Sequence, residues 1–422
     1  MSNLARKIDD NTYDLNKKKK SKLWNLNFFL LWQGQLVSMF GDSVYSIALG
    51  FWILQVTGST AIMGVLMGAS VLPRIFLSPI GGTFVDRHNR KIIIIITDLI
   101  RGVVITFVGI AALLGFIEVW MVLIAGLVMG VCGSFFNPAI SSSIPDIVDK
   151  HNLVKANSAL SLLSTGTNIF GKALGGIIFQ ILGAPIMFFA NGISYLISAF
   201  TESFIIIPQR EKTFRKLSFI EDMKEGIAYV NDFKGLKYLY ATIAFLNFFG
   251  NIGIMLLLPL FNRVDFLNPQ LYGLAMAFLS VGMFLGFFSL SIINIDKFKK
   301  SHLFTLSGLV SSVAMISVAL SNNFIQIAIS LLVSGYCVAV TNALIQSSMQ
   351  AAVLPEMRGK VSGFRATLNS SLVPLAMAFG GIIAEFISIR LIIGVSYCFV
   401  FILFIGLAFV PSVNDLINHK GN

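Results

Sequence analysis

The sequence predicts an all-α membrane protein with twelve transmembrane helices, arranged as two six-helix bundles related by a pseudo-twofold axis. Three observations carry this. Of the 422 residues 56% are hydrophobic and 12% charged, and the mean hydropathy is +0.82, which leaves too little polar surface for a water-soluble globule. Apolar stretches of about 20 residues, the length at which a helix crosses the hydrocarbon core, recur from Asn25 almost to the C-terminus. The chain also repeats itself at half its length.

Spans are expected over 25–55, 61–85, 92–115, 119–144, 156–182 and 185–207, then 237–261, 271–293, 303–320, 324–352, 366–387 and 391–410. The first follows Lys17, Lys18, Lys19, Lys20 and Lys22, as a secretory leader would. Its apolar run is too long and lacks a small-residue cleavage site, so it is read as a retained span. Cys132, Cys337 and Cys398 fall singly inside spans, and His88, His151, His302 and His419 share no metal-ligand spacing. Neither a disulfide framework nor a metal site is expected, and no cofactor is called for.

The formal net charge of +11 could suggest nucleic acid, but its placement argues against that partner. Arg74, Arg101 and Lys172 lie within spans, and Arg263 and Arg390 lie in odd-numbered connections. Every other Lys and Arg falls in the tails or the even-numbered connections. The positive-inside rule therefore puts both termini in the cytoplasm. The expected organisation is a tail over 1–24, a six-helix bundle over 25–207, a linker over 208–236, a second bundle over 237–411 and a tail over 412–422. Within the linker Ser218 and Glu221 form a capping-box pattern, and Ile220, Met223, Ile227 and Val230 recur at helical spacing. An amphipathic helix on the membrane surface is expected there.

The internal repeat has an offset of 210 residues: Asp86, Arg90, Pro145 and Asp146 correspond to Asp296, Lys300, Pro355 and Glu356. Ala173-Leu174-Gly175-Gly176-Ile177-Ile178 and Ala378-Phe379-Gly380-Gly381-Ile382-Ile383 match at an offset of 205. With six spans per copy, both copies enter the membrane in the same sense. Such parallel repeats rock about a cavity that faces either side in turn.

The connection after the second span reads Gly82-Thr83-Phe84-Val85-Asp86-Arg87-His88-Asn89-Arg90-Lys91. It resembles the signature loop of the major facilitator superfamily, in which Gly is followed by a variable residue, Leu, Ala, Asp, Arg, a variable residue, Gly, Arg and Lys. Phe84, Val85 and Asn89 depart from that pattern, though Asn tolerates the left-handed backbone that the usual Gly serves. The resemblance implies a conformational latch of Gly82, Asp86, Arg87, Arg90 and Asp146, repeated as Asp296, Lys300 and Glu356, which locks the cytoplasmic side when the protein opens outward. A set of loop charges that only fixes topology is the alternative.

The first span narrows the likeness. Leu31-Trp32-Gln33-Gly34-Gln35-Leu36-Val37-Ser38, Gly41-Asp42, Trp52 and Thr57-Gly58-Ser59 resemble the macrolide-efflux and enterobactin-exporter branch, the third group of drug:proton antiporters. Pro73-Arg74, Asp98-Leu99-Ile100-Arg101, Asn137-Pro138, Ile144-Pro145-Asp146 and Asn191 with Ser194 and Tyr195 are also similar. The resemblance implies a major facilitator fold and a monomer in a bacterial cytoplasmic membrane. It implies export of small amphipathic molecules by alternating access, exchanged against protons. Export or facilitated passage of a metabolite, siderophore or lysolipid is the alternative within this fold, and a non-transporting sensor the alternative outside it. An enzyme is not expected, because no nucleophile with a base and no metal-ligand cluster is found.

Charged groups within spans are the coupling candidates, since each costs on the order of 2.5–3.5 kcal/mol at a helix centre. They are Asp42, Arg74, Asp98, Arg101 and Lys172. Asp98 and Arg101 share a helix face and are read as a pair that holds the bundle. Asp42 is expected to line the central cavity as the proton-exchanging group, with a permanent ion pair to Arg74 or Lys172 as the other possibility. Lys172 could bind an anionic substrate or neutralise Asp42. Glu202 and Glu385 are expected at headgroup level, where they would snorkel. Gln33, Gln35, Asn137, Asn247, Asn251, Asn342 and Gln346 are the polar groups expected to face the substrate cavity.

Overall fold

A computed structural model describes residues 23–149, 152–208, 219–293, 299–354 and 357–418. The helices are α1 (Leu26–Thr57), α2 (Thr60–Arg87), α3 (Arg90–Leu113), α4 (Val119–Ile147), α5 (Leu153–Glu202), α6 (Phe219–Asp232) and α7 (Lys234–Arg263). They continue as α8 (Pro269–Ile292), α9 (Lys300–Leu320), α10 (Phe324–Ala352), α11 (Arg358–Ser371), α12 (Val373–Ile383), α13 (Ile389–Ala408) and α14 (Pro411–Asn418). Ten helices among the described residues are long and apolar enough to cross a membrane. Isolated backbone polar groups are expensive in lipid, so an all-helical solution satisfies them within each segment. Helix starts are closed by side chains: Asn25, Ser59, Asn89, Asn268, Asn323 and Ser388 each accept from a backbone N–H three residues on.

Twelve separate helices were expected, and two places differ. The fifth and sixth expected spans are two limbs of α5, which breaks at Gly183 with φ 74° and ψ 172°. Only glycine adopts this region cheaply. The limbs fold back on each other, because Gly171 of one meets Ser43 while Tyr195 of the other reaches Asp42, one residue away on α1. The eleventh expected span is broken into α11 and α12, with Pro374 in the first turn of α12, where a missing N–H is harmless.

Arg87, Arg90, Lys234 and Lys300 sit at helix ends on one face of the molecule, called here the basic face. Asn89 is extended at φ −72° and caps α3, so the turn does not use the left-handed backbone allowed for it above. Its amide oxygen binds the Ile92 N–H at 3.3 Å. The linker helix α6 packs on the basic face of the second half. Val230 is buried, Glu225 pairs with Lys360, and Tyr229 Oη accepts from Leu354 N. Ser218 lies outside the described residues. The expected C-terminal tail forms α14, whose Val413, Leu416 and Ile417 are buried and whose Asn418 accepts from Ser301 N at the start of α9.

The two halves meet toward the opposite face along two related seams. On one, a Cβ at Gly176 of α5 would collide with the Pro269 carbonyl at the start of α8. On the other, a Cβ at Gly381 of α12 would collide with the Thr60 carbonyl at the start of α2. These glycines are the matched Gly-Gly pairs of the internal repeat, used twice for the same purpose: small residues let helix backbones approach closely in lipid.

Candidate functional site

Below the seams lies a cavity of about 870 Å³. Its wall is built by α7, α8, α9, α10 and α13 of the second half, with Arg365 of α11 and Gln350 of α10 near its basic-face end. Among the described residues one side chain of the first half enters it, Lys172 of α5. Asn247 and Asn251 on α7 and Asn342 and Gln346 on α10 line it, as does an apolar surface including Met276, Met283, Phe287 and Phe404. The size falls within the range of small-molecule sites.

The acidic coupling candidates lie elsewhere. Asp42 does not line this cavity, and neither Arg74 nor Lys172 forms an ion pair with it. Tyr195 Oη donates to its carboxylate at 2.6 and 2.7 Å, and Asn191 Nδ2 donates at 3.4 Å. The reason is the preceding Gly41, where a Cβ would strike the Asn191 amide and come within 2.8 Å of Ser194 Oγ. The glycine lets α1 close onto the second limb of α5 and seals Asp42 against it.

About two turns further toward the basic face the first half holds a second polar cluster. Asp98 Oδ1 accepts from Arg101 Nη1 at 3.3 Å, and both residues are buried. The Arg101 guanidinium also lies 4.5 Å over the Phe136 ring and 5.5 Å from that of Tyr195, contacts that offset part of its desolvation. Glu202 is 1% exposed and does not snorkel. Asp98, Ser198, Gln35 and Arg101 are its electrostatic neighbours. Ser198 and Gln35 stand at hydrogen-bonding positions to the Glu202 carboxyl, and Glu202 to that of Asp98.

The remaining expected residues are scattered. Gln35 belongs to the buried cluster of the first half, not to the cavity. Gln33 is half-buried and Asn137 exposed, and neither is among the cavity-lining residues. Arg74 is exposed, with its guanidinium against Gly133 of α4. Of the residues expected to form a latch, Arg90 pairs with Asp146 and donates to the Ser142 carbonyl at 2.9 Å, tying α3 to the end of α4. Gly82 is half-buried, Arg87 is exposed and Lys300 opens α9. The Asp86 side chain, Asp296 and Glu356 lie outside what is described.

A family model described as transmembrane secretion effector matches residues 21–416. The chain belongs to that family, within the major facilitator superfamily. It is 25% identical to macrolide efflux protein A of Streptococcus pyogenes over 415 residues, covering 94% of this chain and 98% of that protein. It is 31% identical to multidrug resistance protein 2 of Bacillus subtilis over 184 residues, or 42% of this chain and 44% of that one. Among solved structures it is similar to a bacterial homologue of the human lysosomal transporter Spinster, inward-facing and occupied, with TM-score 0.68 and 15% identity over 92% of this chain and 95% of that one. A bacterial homologue of ferroportin in an inward-facing state matches with TM-score 0.66 and 13% identity over 90% and 98%. These two likenesses concern the fold.

Sequence reasoning places Glu202 and Glu385 at headgroup level and does not find Tyr195 as the partner of Asp42, whereas the structure buries Glu202 and sets Glu385 across the two halves. One signal for Glu202 existed. Gly34 stands between Gln33 and Gln35, and a Cβ there would lie 2.9 Å from Ser198 Oγ and 3.1 Å from Glu202 Oε1. A glycine flanked by amides in a span marks room left for a polar group on the neighbouring helix. Glu385 is not simply at headgroup level: it bridges the halves, accepting from Ser59 Oγ, Thr60 Oγ1 and Ala61 N.

Proposed function

We propose that this transporter exports small amphipathic compounds from the cytoplasm of a bacterial cell by alternating access, driven by proton antiport. The observation that carries the reading is the cavity: an apolar chamber with convergent amides, reaching the basic face and closed toward the other by two Gly-Gly seams. By the positive-inside rule the basic face is cytoplasmic, which makes this arrangement the inward-open state. Substrate entering from the cytoplasm favours closure around it, and opening to the outside then requires the seams to part. Likeness to macrolide efflux protein A along nearly the whole of both chains supports export.

Proton coupling is assigned to the first half. Asp42 sits under Tyr195 and Asn191, and Glu202 beside Asp98 and Arg101, so proton exchange and substrate binding occupy different halves of one two-state machine. Coupling then works through conformation: substrate and protons need only prefer opposite states. Everted vesicles carrying the full chain test the reading. A panel of amphipathic dyes should accumulate when the interior is made acidic and stop when the pH gradient is collapsed. Accumulation indifferent to the gradient would remove proton antiport, and no accumulation of any dye would remove amphipathic export.

A further inference from the structure

Charge is divided unevenly between the cavity and the rest of the membrane domain. Two cations line the chamber, Lys172 and Arg365, and no Asp or Glu does so among the described residues. The acids are committed elsewhere: Asp42 to Tyr195 and Asn191, Asp98 to Arg101, Asp146 to Arg90, and Glu385 to the start of α2. Lys172 has neither a hydrogen bond nor an ion pair among the described residues. An ammonium inside a lipid-embedded chamber is costly unless it meets water or a counter-charge. Arg365 donates through Nη1 to Met349 Sδ at 3.1 Å, a weak acceptor that leaves most of its donors unspent.

We infer that the chamber takes amphipathic anions, with Lys172 binding a compact acidic headgroup such as a carboxylate, phosphate or sulfonate while the apolar body lies against α8, α10 and α13. The inference rests on the transport reading above and specifies its substrate class. The geometry adds a reason for the lysine's position. The rest of the wall belongs to the second half, so a headgroup on Lys172 joins the first half to a molecule held by the second. Substrate thereby bridges the two bodies that must close around it. The amides of Asn342 and Gln346 can serve the remaining headgroup oxygens. A cationic amphiphile would meet two like charges here and, among the described residues, no carboxylate.

The test uses the full chain in nanodiscs of phosphatidylcholine and one fluorescent alkyl probe made in three versions, ending in sulfonate, hydroxyl or trimethylammonium. The sulfonate version should bind roughly tenfold or more tighter than the other two, as a charge-assisted hydrogen bond provides. Lys172→Gln should erase that preference without weakening the hydroxyl version, and Lys172→Arg should keep it. Equal or tighter binding of the trimethylammonium version to the unaltered chain overturns the inference and needs no variant that folds. So does a sulfonate preference that survives Lys172→Gln. In both cases binding of some probe leaves the transport reading standing. Failure of every version to bind the unaltered chain takes down that reading and this inference together.

Discussion

Glu385, beyond the end of α12 in the second half, accepts a hydrogen bond from Ala61 N in the first turn of α2 at 2.9 Å, and so caps a helix of the other half. Ser59 Oγ at 2.7 Å and Thr60 Oγ1 at 3.0 Å complete the contact. Arg263 adds a second tie beside it by donating to the Gly58 carbonyl at 3.2 Å. A carboxylate at a helix N-terminus is favourable, and here it is made only while the seam is closed. Because Glu385 is exposed, solvent screening reduces its worth. Glu385→Gln should shift the population toward the open seam by roughly 2- to 5-fold, read by spin-label distances between the α2 and α12 ends.

The same contact has a pH signature of known sign. The Ala61 N–H first, then Ser59, hold the Glu385 carboxyl below its ordinary value of 4.5. A depressed value means the contact stabilises the closed seam fully above the ordinary value and is lost as pH falls through the depressed one. Lowering the pH on that face from about 7 to about 3 should open the seam in its last part. Glu385→Gln should abolish that step, and a step that persists in the variant would assign it to another group.

Gly176 and Gly381 should be intolerant of the smallest side chain. A Cβ at either meets a backbone carbonyl of the other half, which cannot swing away as a side chain could. Overpacking of this kind costs about 1–3 kcal/mol. Gly381→Ala should therefore leave each bundle folded while making the opposite-face ends of α2 reactive to a membrane-impermeant thiol reagent at an introduced cysteine.

Tyr195→Phe removes the principal donor to Asp42 and should lower stability by about 1.5–3 kcal/mol, the usual worth of a hydrogen bond to a charged group. Thermal unfolding of the purified protein measures it. Asp42→Asn and Glu202→Gln should each keep substrate binding and lose its response to a pH gradient in vesicles. Transport that stays pH-driven in one of them removes that residue from the coupling role.

Arg90→Ala removes a charge partner from Asp146, whose side chain is 2% exposed. Removing one member of a largely buried pair costs about 3–5 kcal/mol, and the lost bond to the Ser142 carbonyl adds to it. The expected result is a lower unfolding temperature, with Arg90→Lys intermediate because a lysine restores the charge but not the fork of donors.

How much of this was legible beforehand depends on the range of the interaction involved. Hydropathy marked the lipid-crossing segments, because transfer of a helix into hydrocarbon is additive along the chain. Asn247, Asn251, Asn342 and Gln346 line one chamber, since each sits on a helix whose polar groups share one face. Gln35 and Glu202 were misread for a common reason. Whether a polar residue faces a cavity, a neighbouring helix or the headgroups is a matter of helix rotation and depth, which one span does not record.

That the chain lives in a bilayer, that it is built twice and which loops carry the charge are legible along the chain, because composition, repetition and charge order are one-dimensional properties. What Asp42, Lys172, Glu202 and Glu385 stand against is visible only in the folded molecule. Their roles come from which helix of the other limb or the other half stands opposite them, and the short-range forces of hydrogen bonding and close packing act only once those backbones have met.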